Sequence, residues 1–191
     1  MSKGRVEAFS DGVIAILITI MVLELHVPSS ADLNALRPLI PIFLSYIISF
    51  VFLGIYWNNH HHLFQVTEHV NGAILWANLH LLFWLSLVPF VTGWVGENNF
   101  ATIPVACYGA ILLLAAIAYS ILARALIASH NRDSLLVRAI GSDVKGNISL
   151  LFYASAIPLA FFNSWLAFSF YVIVAIIWLI PDPRIEKMLS H

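Results

Sequence analysis

The stretch that decides the fold is "GRVEAFSDGVIAILITIMVLEL", residues 4–25. It is apolar over a length that can cross a bilayer, for which roughly 20 residues are needed. Yet Ser10 and Asp11 stand together near its start, and Thr19 sits alone in its middle. A carboxylate at the centre of a span costs roughly 2.5–3.5 kcal/mol on insertion scales. Asp11 therefore needs partners or a task.

The rest of the chain fits a membrane setting. Of 191 residues, 61% are hydrophobic and 10% charged. Soluble domains run near half apolar and about a quarter charged, so the composition is that of an integral membrane protein, and its long apolar runs make an all-α one the expectation. The net charge of −1 says little about partners, and no nucleic-acid partner is expected. The single Cys107 excludes an internal disulfide framework. Lys3 and Arg5 ahead of an apolar run resemble a signal peptide, but Asp11 and Glu24 bracket that run and no A-x-A site follows. The segment reads as a retained span.

Four spans are plain, at about 6–26, 38–57, 72–95 and 103–128. From Asn147 to Ile180 there is no charge at all. One helix of that length would measure on the order of 50 Å, against about 30 Å of hydrocarbon. It must fold back at "FFNSW", Phe161 to Trp165, giving spans of about 147–162 and 164–181 with Pro158 as a kink. The expectation is one six-helix domain over residues 1–191. Six spans put Lys3, Arg5, Arg124, Arg132, Arg138, Lys145, Arg184 and Lys187 on one side and Arg37 alone on the other. That asymmetry places both termini, and the loop from about Ser129 to Gly146, in the cytoplasm. The expected location is the plasma membrane, as a multi-pass protein.

At 100° per residue, Phe9, Gly12, Ile16, Thr19, Ile20 and Leu23 share a stripe about 100° wide on the first helix. Asp11 falls about 140° from Ile16, so the carboxylate does not share a face with Thr19 and points into neighbouring helices. On periodicity alone the stripe reads as ordinary helix packing or as a pore wall.

"RVEAFSDG" resembles the R-x-x-x-F-S-D signature of the transmembrane protein 175 family, potassium channels of endosomes and lysosomes with bacterial homologues. The resemblance continues in "IYWNNHHHLF" (Ile55 to Phe64) and "LWANLHLLFWLSLVPF" (Leu75 to Phe90). Six spans without a second copy are similar to the bacterial members, which assemble as homotetramers. The resemblance implies that the first helix of each subunit lines a pore for potassium ions. It implies a constriction at Ile16, further apolar rings at Ile20 and Leu23, and potassium preference at Thr19. It also implies a structural polar network around Arg5, Phe9, Ser10 and Asp11, with His60, His61, Asn78 and His80 as candidate partners. No cofactor is expected beyond permeant K+, and no metal. An aliphatic neck can gate by dewetting, and a hydroxyl ring is a weaker selector than a carbonyl filter, so selectivity should be modest.

Other polar features read more plainly. The run His60-His61-His62 points in three directions on a helix and cannot share one tetrahedral metal. Trp57, Trp76, Trp84, Trp94, Trp165 and Trp178 fall mostly near span ends, as in an interfacial belt. Glu24 and His26 lie at the outer end of the first helix. Against a passive channel stands a proton-coupled ion transporter, but midplane charges in paired halves are not evident. An intramembrane enzyme is disfavoured, because Ser10 and Asp11 are adjacent and splay apart.

Overall fold

A computed structural model describes residues 2–65, 67, 69–129 and 144–179, and among these the chain is all-helical, with helices joined by short turns. In order come α1 (Lys3–Leu23), a 3-10 helix (Leu33–Leu39), α2 (Ile40–Gln65), α3 (Gly72–Ser86), α4 (Val88–Glu97), α5 (Thr102–Ala128), α6 (Val144–Ala160) and α7 (Ser164–Leu179). Four stretches, Lys3–Leu23, Leu33–Gln65, Gly72–Glu97 and Thr102–Ala128, are long and apolar enough to cross a membrane. The protein is a membrane protein.

Local sequence explains each boundary. Pro41 sits in the first turn of α2, where its missing N–H is not needed. Asn71 caps α3 by accepting from the Ile74 amide at 3.0 Å. The third span breaks at Leu87 because Pro89 offers no N–H to the preceding turn. Between α4 and α5, Asn99 and Phe100 turn the chain in left-handed conformations (φ 49° and 59°). A bulky residue there is costly, by roughly 1–2 kcal/mol. Phe100 is held by packing against Trp165 and Phe168, with ring centroids at 4.5 and 4.7 Å. Asn163 caps α7 through the Leu166 amide at 3.0 Å, so the fold-back falls within "FFNSW".

One boundary differs from the sequence reading. The second span was expected to end near residue 57, with the histidines after it; α2 instead runs on to Gln65 and carries all three. Polar residues looked like an interface, but His60 is fully buried within the protein. The last two helices are short. At 17 and 16 residues, α6 and α7 measure roughly 25 Å each, less than the hydrocarbon thickness of about 30 Å. The expected end of the last span at 180–181, most of the loop Ser129–Gly146, and Arg132, Arg138, Arg184 and Lys187 lie outside the described residues.

Two apolar clusters share α2 and α5. One gathers α1, α2, α3 and α5 around Ile14, Leu53, Leu81 and Leu122. The other joins α2, α4, α5, α6 and α7 around Phe52, Tyr108, Tyr153 and Tyr171. A buried hydroxyl relay stitches the second together. Thr92 lies 2.7 Å from both the Val88 carbonyl and Ser49, which in turn lies 2.9 Å from Tyr108. Each hydroxyl thus finds a partner, as a polar group in a dry interior must.

Candidate functional site

The first helix has two faces of different character. Val6, Ser10, Ile14, Leu17 and Met21 recur at four- and three-residue steps and are buried against the rest of the subunit. Opposite them, Phe9, Ile16, Ile20 and Leu23 are 52, 57, 41 and 78% exposed. Thr19 and Gly12 are exposed with them, and a side-chain carbon added at Gly12 would meet nothing within 4 Å. The stripe read from periodicity is therefore a surface that the described helices leave bare. Thr19 donates its hydroxyl hydrogen to the Ile16 carbonyl at 2.8 Å. Its remaining lone pairs stay available on the exposed face, where they are suited to a cation.

The other side of α1 is fixed to α2 by an antiparallel ladder of polar rungs. Lys3 Nζ donates to the Gln65 carbonyl at 2.9 Å, Glu7 Oε1 meets His61 Nδ1 at 3.1 Å, and Trp57 Nε1 donates to Asp11 Oδ1 at 3.0 Å. Positions 3, 7 and 11 climb one helix while 65, 61 and 57 descend the other. Residues four apart lie above one another on a helix, so the rungs align. Trp57 also stacks on His61, with centroids 6.2 Å apart.

A second polar chain crosses deeper, from α2 through α3 to α1. His60 Nε2 lies 2.8 Å from Asn78 Oδ1, Asn78 Nδ2 donates to Ser10 Oγ at 2.9 Å, and Ser10 donates to the Val6 carbonyl at 2.9 Å. The direction is determined. Because the Asn78 amide nitrogen is spent on Ser10, its oxygen must accept, and His60 must carry its proton on Nε2. His60 Nδ1 is buried without a partner, and the ring stacks on Phe64 at 4.5 Å. Ser10, His60 and Asn78 are all at most 2% exposed.

The candidate polar residues thus divide. Ser10, His60 and Asn78 come together, and Asp11 and His61 take separate rungs on the ladder. His80, expected in the same network, does not join it; its Nε2 accepts from Trp84 Nε1 at 2.9 Å, one turn along α3. Arg5 is exposed and makes no side-chain hydrogen bond among the described residues, and Phe9 lies on the bare stripe. Trp57, an interfacial anchor by its place near a span end, also pairs with Asp11, which periodicity alone does not give. An indole N–H is donor only and usually finds a partner, which is the signal that pointed there. Among the described residues no three His, Cys, Asp or Glu side chains converge to hold a metal ion.

Residues 5–89 match the family profile described as "Endosomal/lysosomal potassium channel TMEM175". A potassium channel of Chryseobacterium sp. (strain P1-3) is 58% identical over 191 residues, covering the whole of both chains. A potassium channel of Chamaesiphon minutus is 32% identical over 188 residues, 91% of each chain. The fold is similar to a crystal structure described as a lysosomal potassium-selective channel TMEM175 homolog from Chamaesiphon minutus. The TM-score is 0.79 at 30% identity, over 93% of this chain and 96% of that one.

Proposed function

The chain belongs to the TMEM175 family of endosomal/lysosomal potassium channels, and from that premise we propose that it is a passive, potassium-favouring cation channel whose pore is lined by α1. The observation that carries this reading is the bare stripe of Phe9, Gly12, Ile16, Thr19, Ile20 and Leu23 on a helix whose other face is anchored by polar contacts. Several copies meeting along that stripe, four in this reading, bring Ile16, Ile20 and Leu23 together as apolar rings. An apolar neck excludes water when narrow and conducts when it widens, which is a gate without a charged group. Thr19 then offers a ring of hydroxyl oxygens one turn from Ile16, replacing part of a cation's hydration shell.

The ladder and the His60–Asn78–Ser10 chain serve a different purpose in this account. They fix the rotation of α1, so that the aliphatic stripe and not the carboxylate faces the axis. Asp11 is structural, and ions do not bind it. The two termini are assigned to the cytoplasm on the asymmetry of basic residues, and the plasma membrane is the membrane proposed.

The test is flux into liposomes containing the purified protein, with a potassium gradient and then sodium or caesium in its place. Rapid passive flux, fastest for potassium, is the expected result. Slow flux that requires a proton gradient would replace the channel by a carrier.

A further inference from the structure

A cleft that opens to the surface, its enclosed part about 40 Å³, lies where α2 faces α5, α6 and α7. It exists because α2 does not pack closely on α5 or α6 at this level. Aromatic rings bridge the gap instead, Tyr56 to Tyr119 at 6.2 Å and Phe52 to Tyr153 at 6.3 Å between centroids. Trp178 closes the far wall, its indole nitrogen donating to Ser149 at 2.8 Å.

The walls are chemically specific. Every described side chain lining the cavity is uncharged. Tyr56 and Tyr153 are 9 and 3% exposed, yet among the described residues neither hydroxyl has a hydrogen-bond partner. Tyr108 and Tyr171 in the same cluster do have partners, Ser49 at 2.9 Å and the Val105 carbonyl at 3.2 Å. A buried phenol normally finds an acceptor, because leaving it without one is costly in a dry interior. Two such phenols, both lining one cleft, call for an acceptor from outside the chain, held at the cleft by its polar end.

We infer that this cavity binds an uncharged amphipathic molecule whose acceptor oxygen is held by the Tyr56 and Tyr153 hydroxyls, with its apolar body against Phe52, Tyr119 and Trp178. A carbonyl oxygen beside a short hydrocarbon chain satisfies the walls. That chemistry is offered both by the glycerol ester of a bilayer lipid and by a free small ester or ketone partitioned into the membrane. Among the described residues no lining side chain is charged, so the walls favour an uncharged group.

The full chain, labelled with 5-fluorotryptophan and placed in nanodiscs, reports on the site through the Trp178 fluorine signal, assigned by its loss in Trp178→Phe. Methyl hexanoate is the probe, and heptane, which has no acceptor, is the control for simple partitioning. The expected result is a saturable shift with the ester and none with the alkane. Its half-saturation should rise about fivefold in Tyr56→Phe and again in Tyr153→Phe, the scale of one lost hydrogen bond. These variants remove one oxygen each and keep the ring packing. Weaker apparent binding in discs of diester lipid than in discs of diether lipid identifies the bilayer lipid as a competing occupant. Equal binding in both identifies a free molecule. A shift that does not saturate, or one that both Phe variants leave unchanged, overturns the proposal and leaves the cavity filled by water alone.

Discussion

Asp11 is held by Trp57: the indole Nε1 of α2 donates to the carboxylate of α1 at 3.0 Å, as the third rung of a ladder that begins at Lys3 and Gln65. The rung accounts for a carboxylate in an apolar helix. Asp11 is partly exposed and accepts one strong, charge-assisted hydrogen bond, and its position sets the angle at which α1 leaves the rest of the subunit.

Removing the donor should hurt more than neutralising the acceptor. Trp57→Phe leaves Asp11 without its partner and should lower stability by about 1 kcal/mol, the scale of one such bond in a half-exposed place. Asp11→Asn keeps an oxygen in the same position and should lose less. Thermal unfolding of both variants in detergent gives the order; a larger loss for Asp11→Asn would contradict that order, and no loss in either would count against a structural role for the rung.

The His60–Asn78 contact is open to a double-mutant cycle. Asn78→Ala leaves the His60 Nε2–H buried and unanswered, so it should destabilise by about 1–3 kcal/mol. His60→Phe and Asn78→Ala together should cost less than the sum, with a coupling of about 0.6–1.7 kcal/mol, the range measured between transmembrane helices. Additive losses would show that the two side chains act independently.

Thr19 tests selectivity. Thr19→Val keeps the shape and removes the oxygen, so the potassium-over-sodium permeability ratio should fall, by up to about fivefold if the hydroxyl is worth a hydrogen bond of about 1 kcal/mol. Thr19→Ser should keep most of the ratio. Reversal potentials under mixed gradients decide, and an unchanged value in Thr19→Val removes the hydroxyl from the selective element.

Packing of α5 on α7 depends on the lack of a side chain at Gly109. A methyl group there would overlap the Tyr171 hydroxyl and ring, which are fixed by the bond to the Val105 carbonyl. Gly109→Ala should therefore destabilise by about 1–3 kcal/mol, the usual cost of overpacking. Adding Tyr171→Phe should recover part of that loss; no recovery would mean the conflict lies elsewhere.

The sequence was most legible where one periodicity governed. The stripe from Phe9 to Leu23 is the exposed face of α1, because nothing among the described residues competes for it. It was least legible where a polar residue had two possible settings. "NNHHH" looked like the watery end of a span, yet His60 is fully buried with Asn78 as its partner, and α2 continues for a turn beyond the run. His80 looked equally fit for that network, but its position on α3 directs it to Trp84. Residue type gave the inventory of donors and acceptors; only the relative rotation of three helices sorted them into pairs.

The central claim is that the bare face of α1 is the pore wall, with its neck at Ile16. Ile14 and Ile16 are two residues apart and face opposite ways, 1 and 57% exposed. In a Cys107→Ala background, a cysteine is placed at each in turn, and channels are exposed to a charged, water-soluble thiol reagent while current is recorded. Ile16→Cys should be modified and its current blocked, while Ile14→Cys should be unaffected at the same dose. Block through residue 14, or none through residue 16 in a conducting protein, would contradict the account.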